Sequence, residues 1–311
     1  MIKEILPDAS GTHIEWVVSN VCNYTCEYCN PDLYGGSSKW PDVNKAVEFF
    51  NYVHENVNSG PKLLNLTGGE PTLWPKLFEF LNRLDNSYYT QITTNGSRTI
   101  RWWKNLISNY NNLAKVCIST HLEFANIDHI VNVAKLIHKH TQLTILILAS
   151  KENFSLVRPY RDRLVSENLE VSILVKPIRR VENSGQAEDY TQEQLNDIKS
   201  LNYSSQKIPN PKGIPAHLIV NGEHKNYKFA LELIAKNQHS FKGWKCSLGK
   251  TRLVIWHDGQ VYAAQCSTAN KRPLGNLKTG KLNYIPEDVI CETEYCSCAP
   301  DIRIPKWKEN V

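Results

Sequence analysis

An α/β fold built on a parallel sheet is what this sequence predicts, and three patterns carry the prediction. Between residues 13 and 178, six apolar or β-branched runs alternate with segments whose apolar residues recur at helical spacing. The runs are nearly continuous in apolar character, as in "LTILILAS" (143–150). Such strands are buried on both faces, and helices packed on a parallel sheet bury them. The unusual residues, cysteines and paired glycines, fall where runs end, and the carboxyl edge of such a sheet is where sites are built. An open sheet and a partial barrel both fit.

The elements follow in order. "HIEWVVSNV" (13–21) reads as the first strand and runs into a cysteine-rich loop. "DVNKAVEFFNYVHENV" (42–57) places Val43, Val47, Phe50, Val53 and Val57 on one helical face, with Asp42 as its N-cap. "KLLNLTGGE" (62–70) is a strand ending in two glycines. "TLWPKLFEFLNRLDN" (72–86) predicts a helix with Leu73, Leu77, Leu81 and Leu84 inward and Pro75 in its first turn. "TQITTNG" (90–96) and "AKVCIST" (114–120) are the third and fourth strands, and "NIDHIVNVAKLIHKH" (126–140) is a helix. Strand five is 143–150, a helix spans about 155–168, and "EVSILVKPI" (170–178) is strand six, closed by Pro177.

Beyond Pro177 the character changes. "RRVENSGQAEDY" reads as a linker, "TQEQLNDIKSL" as a short helix, "AHLIVNGEHKNYK" as a hairpin turning at Asn221-Gly222, and "YKFALELIAKN" as a helix. "RLVIWHDGQVYAAQC" is a second hairpin, turning at Asp258-Gly259. The expected organisation is a core over 1–177 and a small α+β extension over 178–311.

The 311 residues suffice for such a pair of units. No apolar run approaches the roughly 18 residues that span a bilayer. "MIKEILPDAS" lacks a secretory h-region, so a cytoplasmic location is expected. The net charge of +5 argues only weakly for an anionic partner.

Nine cysteines are many for a reducing compartment and point to metal or catalysis rather than disulfides. Cys117, in "AKVCIST", reads as a buried small hydrophobe. Cys22, Cys26 and Cys29 stand within eight residues, "CNYTCEYC". A tetrahedral zinc site wants four ligands and the loop supplies three; His13 or His121 would have to complete it from afar. Three thiolates on a cubane cluster leave one iron without a protein ligand, free to bind a small molecule.

The loop Cys22-x3-Cys26-x2-Cys29, with Tyr28 before the third cysteine, resembles the signature of radical S-adenosylmethionine (SAM) enzymes. "GGEPT" (68–72) resembles that family's glycine-glycine-glutamate motif, and the likeness runs over roughly residues 13–177. It implies a partial (β/α)6 TIM-like barrel. It also implies that Cys22, Cys26 and Cys29 bind a [4Fe–4S] cluster whose fourth iron is chelated by SAM. Gly68, Gly69 and Glu70 would offer acceptors to the SAM ammonium, with Tyr28, Thr94, Asn95 and Ser119 also at the cofactor. For the SAM carboxylate the candidates are His121, His129 and Lys151.

Cys246 and Cys266 flank the second hairpin, and "CETEYCSC" (291–298) adds Cys291, Cys296 and Cys298. This resembles the auxiliary-cluster modules called twitch and SPASM. It implies one auxiliary [4Fe–4S] cluster held by four of the five, Cys246, Cys266, Cys296 and Cys298 being preferred over a set with Cys291. A structural zinc site is the alternative.

The resemblance further implies reductive cleavage of SAM to a 5′-deoxyadenosyl radical and hydrogen abstraction from a small molecule, nucleotide, modified base or peptide. A reductant such as flavodoxin or ferredoxin is implied as partner. One narrower reading is a radical isomerase acting on an amino-acid-bearing thymine in virus-type DNA. A non-enzymatic reading is a zinc- or iron–sulfur-stabilised nucleic-acid-binding module. "RTIRWWKN" (98–105) and "IRIPKWKENV" mix basic and aromatic residues, which suits surface packing first and single strands second. "HKH" (138–140) reads as a solvated helix face.

Overall fold

The computed structural model describes residues 2–36, 39–57, 60–178, 190–223, 230–266, 269, 272–283 and 288–308. The linker expected at 179–189 lies outside them, as does the second arm of the Asn221-Gly222 hairpin.

The elements run β1 (Glu4–Pro7), β2 (Thr12–Val17), α1 (Val43–Asn56), β3 (Lys62–Thr67), α2 (Leu77–Leu81), β4 (Tyr88–Thr94), α3 (Ile100–Asn109) and β5 (Leu113–His121). They continue with α4 (Ile127–Ile137), β6 (Gln142–Ala149), α5 (Phe154–Val165), β7 (Ser172–Pro177), α6 (Gln192–Ser200), β8 (Tyr203–Ser204), β9 (Leu218–Val220) and α7 (Ala230–Ala235). The rest are β10 (Lys245–Cys246), β11 (Arg252–Ile255), β12 (Gln260–Tyr262), β13 (Gly275–Asn276), β14 (Lys281–Leu282), β15 (Val289–Ile290), α8 (Ala299–Ile302) and β16 (Lys306–Trp307).

Strands β2 to β7 lie side by side in chain order, each parallel to the next. These are the six expected strands, and with the intervening helices they form an α/β core. On the β2 side β11 joins in parallel and leads to the antiparallel β12, β13 and β14; β8 caps β7. A second, antiparallel sheet has the order β15-β10-β16-β1-β9. Both sheets draw strands from either side of residue 177, because β1 pairs with β9 and β16 while β11 extends the core.

Local chemistry explains the helices. The Asp42 carboxylate accepts the Lys45 N–H at 3.0 Å and starts α1, whose buried face holds Val43, Ala46, Val47, Phe49, Phe50 and Val53. Phe50 meets Trp16 of β2 at 5.3 Å between ring centroids, and Trp74 and Phe80 close on the same indole. The helix expected over 72–86 is broken. A 3-10 turn at Pro71–Leu73 precedes α2, and Pro75, which cannot donate a backbone hydrogen bond, sits in the gap. Within "HKH", His138 is not solvated: it caps α4, is 8% exposed and accepts the Glu170 N–H at 3.2 Å. Cys117 is buried in β5 as expected.

The strands are not uniformly buried. In β3 and β4, buried and half-buried residues alternate. Leu64, Leu66, Tyr88 and Ile92 face the helices, while Asn65, Gln91 and Thr93 are half-buried and linked by hydrogen bonds: Thr93 Oγ1 donates to Asn65 Oδ1 at 3.0 Å and Gln91 Nε2 to Thr93 Oγ1 at 3.4 Å. The interior of the curved sheet is therefore polar on this side.

Candidate functional site

The carboxyl ends of β2, β3, β4 and β5 converge on a cavity of about 170 Å³. Cys22, Cys26, Cys29, Gly68, Gly69, Thr94, Asn95 and Ser119 all line it. Of the residues expected from the two motifs, Tyr28 and Glu70 are not on that wall. Tyr24, Thr67 and Thr93 join it, and the sequence had not singled them out.

The glycines bring the strand ends together. Gly68 has φ +129°, a conformation costly for any residue with a Cβ, and a Cβ there would strike the Ser19 carbonyl. A Cβ on Gly69 would strike the Val21 carbonyl and lie 2.7 Å from its carbon. With none in the way, the Gly69 N–H donates to Ser19 O at 2.9 Å and the Glu70 N–H to Val21 O at 2.8 Å. The segment entering the cysteine loop is thus clamped to the glycine turn.

Glu70 braces the site from beneath. Its carboxylate, 1% exposed, accepts from Thr72 N, Thr72 Oγ1, Thr94 Oγ1 and Asn95 N at 3.0, 2.6, 2.8 and 2.6 Å. Burial pushes its pKa up, and these donors pull it part of the way back. The side chain expected to meet the SAM ammonium is therefore spent on tying the end of β3 to the end of β4. Asn95 carries the tie onward, donating to Asn23 Oδ1 at 2.9 Å, and Asn23 donates to Ser97 Oγ at 3.0 Å.

Of the three candidates for the SAM carboxylate, only His121 reaches the cavity. His129 instead holds the β4–α3 loop, its Nε2 lying 3.1 Å from the carbonyls of Gly96 and Arg98. The His121 Nδ1 lies 3.1 Å from Cys26 Sγ and 2.9 Å from Tyr28 Oη, and its ring stacks on that of Tyr28 at 5.8 Å and 6°. Burial lowers its pKa to about 4, so the imidazole is neutral at neutral pH.

Burial also pushes the thiols up: Cys29 to about 11, with Cys22 and Cys26 raised too. These soft, buried donors become ligands only beside a cation that compensates their charge, which is what iron or zinc provides. Among the described residues no three His, Cys, Asp or Glu side chains meet at one point fit for a single ion. The three thiols line the one cavity together.

The C-terminal cysteines gather separately. Cys246, Cys291 and Cys296 are buried and Cys266 half-buried. Cys246 lies within electrostatic reach of Cys266 and Cys291, and Cys296 within reach of Cys246 and Cys266. The charges acting most strongly on Cys298 belong to Asp301, Arg252 and Glu15. Backbone bonds place the group: Gly243 N to Cys291 O and Cys291 N to Trp244 O, both 2.8 Å, and Cys296 N to His239 O at 2.9 Å. Burial raises Cys246 to about 12. Lys306, 1% exposed, lies close enough to pull the Cys246 and Cys296 thiols back down; its ammonium donates to the carbonyls of Asp301, Ile302 and Ile304 at 2.9, 2.9 and 2.8 Å.

Among the described residues no helix is long and apolar enough to cross a membrane. Residues 16–146 match the family model of the radical SAM superfamily. The chain is 31% identical over 93 residues to a GTP 3′,8-cyclase of Haemophilus ducreyi, covering 29% of this chain and 27% of that protein. A GTP 3′,8-cyclase of Staphylococcus epidermidis is 31% identical over 115 residues, 34% of each chain. The chain thus spans about a third or less of the curated relatives it matches. In fold it is similar to Streptococcus suis SuiB bound to S-adenosylmethionine, with TM-score 0.55 and 12% identity over 87% of this chain and 64% of that one. It is also similar to anSMEcpe with bound AdoMet, with TM-score 0.53 and 17% identity over 86% and 78%. A three-thiol loop and a glycine turn at one end of parallel strands accompany the family-model match, and residues 16–146 form a radical SAM domain.

Proposed function

We propose that the protein is an enzyme that cleaves SAM reductively and uses the resulting radical on a ring-bearing, anionic substrate of nucleotide or nucleic-acid type. The observation that carries this reading is one cavity at the strand ends walled by Cys22, Cys26, Cys29 and the Gly68-Gly69 turn. When bound, a [4Fe–4S] cluster and SAM supply one-electron cleavage of a sulfonium to methionine and a 5′-deoxyadenosyl radical.

Cys22, Cys26 and Cys29 would hold the cluster. Gly68 and Gly69 admit a ligand close to the backbone, and Thr94, Asn95 and Ser119 line the same cavity and orient it. Glu70 and Asn23 fix the loops that carry these groups. Tyr28 and neutral His121 wall off Cys26, with His121 Nδ1 at hydrogen-bonding distance from both its sulfur and the Tyr28 hydroxyl. The relatives named GTP 3′,8-cyclase support a nucleotide-type substrate. An external reductant such as flavodoxin or ferredoxin supplies the electron.

An auxiliary [4Fe–4S] cluster would be held by Cys246, Cys266, Cys291 and Cys296, with Lys306 offsetting its charge. This set takes Cys291 in place of the expected Cys298, because the charges acting most strongly on Cys298 belong to Asp301, Arg252 and Glu15 and not to another thiol.

Anaerobic reconstitution tests the proposal. The expected result is about eight irons and eight sulfides per chain, and 5′-deoxyadenosine on adding dithionite and SAM. Cys26→Ala should abolish the nucleoside; full turnover by that variant, or stoichiometric zinc in the purified protein, refutes the reading.

A further inference from the structure

The cationic face of α3 is not used by the site described above. Arg98, Thr99, Arg101, Trp102, Lys104 and Asn105 line an open groove of about 590 Å³. No acidic residue occurs between positions 98 and 109. Elsewhere on the surface helical cations find partners, as in Lys45–Glu48, Arg83–Glu79 and Arg158–Asp197. Among the described residues Arg98, Arg101 and Lys104 make no ion pair. The Arg98 Nε is shielded from solvent without an acceptor, and the guanidinium lies 5.4 Å from the centroid of the half-buried Trp102 indole.

The groove begins at Arg98, close along the chain to Asn95 of the candidate site. Arg98 follows Asn95, Gly96 and Ser97, of which Asn95 stands on the cavity wall and Ser97 bonds to Asn23 in the cysteine loop. His129 fixes this connection by holding the Gly96 and Arg98 carbonyls.

We infer that this face of α3 binds the backbone of a single-stranded nucleic acid. Uncompensated cations three residues apart attract phosphates, the part of the Trp102 indole left uncovered by Arg98, Phe78 and Trp103 offers a base an apolar contact, and Thr99 and Asn105 add uncharged donors. A stable protein partner needs an apolar centre to its interface, and this groove offers a single ring. The inference deepens the proposed function by naming the substrate class, and it rests on that reading only for where the chemistry occurs.

The test is fluorescence anisotropy of a fluorescein-labelled, mixed-sequence single-stranded oligonucleotide, titrated with the cluster-loaded protein at several salt concentrations. Each phosphate contact contributes a slope of about −0.7 in log K against log salt, so the combined Arg98→Ala, Arg101→Ala, Lys104→Ala variant should lose about 2 units of slope. Trp102→Leu should weaken binding roughly five-fold or more, with thermal melting to confirm that it still folds. An Arg158→Ala, Lys199→Ala variant, altered on α5 and α6, should bind like the unaltered protein. An unchanged slope in the triple variant, or an equal loss in that control, overturns the inference. So does a triple variant that keeps oligonucleotide binding but loses binding to an acidic electron-donor protein. A protein that binds the oligonucleotide yet makes no 5′-deoxyadenosine refutes the enzyme reading and leaves this surface standing; the reverse refutes the surface alone.

Discussion

Replacing Glu70 with glutamine separates a brace from a ligand. The carboxylate accepts four hydrogen bonds, three at Oε1 and one at Oε2. An amide in its place has one oxygen and one NH2 group. In either orientation the NH2 faces a donor: the Asn95 N–H, held at 2.6 Å by the carboxylate, or the N–H and hydroxyls of Thr72 and Thr94. The change removes at least one charge-assisted hydrogen bond, worth about 1.5–3 kcal/mol, and strands a buried donor at about 1–3 kcal/mol. Removing a buried charge offsets part of this. The expected net loss is about 2–3 kcal/mol, and Glu70→Ala, which strands all four donors, should lose more. Urea unfolding of the metal-free protein, followed by tryptophan fluorescence, reads the change, since Trp74 lies just beyond the Glu70 turn. If Glu70→Gln unfolds within about 0.5 kcal/mol of the unaltered protein while SAM affinity collapses, the carboxylate is a ligand and the bracing argument fails.

Gly69→Ala should lose iron at the first cluster while leaving the second, because its methyl drives Val21 away from the turn; iron content and EPR of the reduced protein report this, and full occupancy counts against the clamp. Cys291→Ala should remove about four irons per chain and Cys298→Ala none, so the opposite pattern would restore the set expected from the sequence. Below pH 6.5 the unfolded chain protonates His121, whereas the folded pKa is about 4, so the metal-free protein loses stability as pH falls through that window. The full effect is up to about 3 kcal/mol; His121→Phe should flatten this part of the pH–stability curve, and an unchanged curve means that His121 is not neutral by burial. Arg252→Met leaves Asp301, 3% exposed in its side chain, without its guanidinium at 3.3 Å. It should cost about 3–5 kcal/mol, read as a lower melting temperature.

The six core strands were legible because burial beneath helices demands apolar runs, and "LTILILAS" has no polar interruption. The site was legible as far as its residues are local: three cysteines in one loop and two glycines in one turn are short-range patterns. Asn65, Gln91 and Thr93 carried a usable signal, polar residues at period two in otherwise apolar strands, which marks a wetted interior. The contacts of Tyr28 and Glu70 carry no local signal. Whether a carboxylate faces a cavity or a neighbouring strand end depends on Thr94 and Asn95, which are 24 and 25 residues away.

The amino-acid order alone determined which strands exist, their parallel arrangement and the three-thiol loop at their carboxyl edge, because these follow from hydrophobic period and close spacing. Only the tertiary structure decided that β1 joins the C-terminal strands and that β11 extends the core sheet. Those outcomes are set by pairings between residues more than 200 positions apart, such as Ile5 with Val220 and Leu253 with Ile14. No local preference encodes them; they follow from which edges and apolar faces remain uncovered once the core has formed.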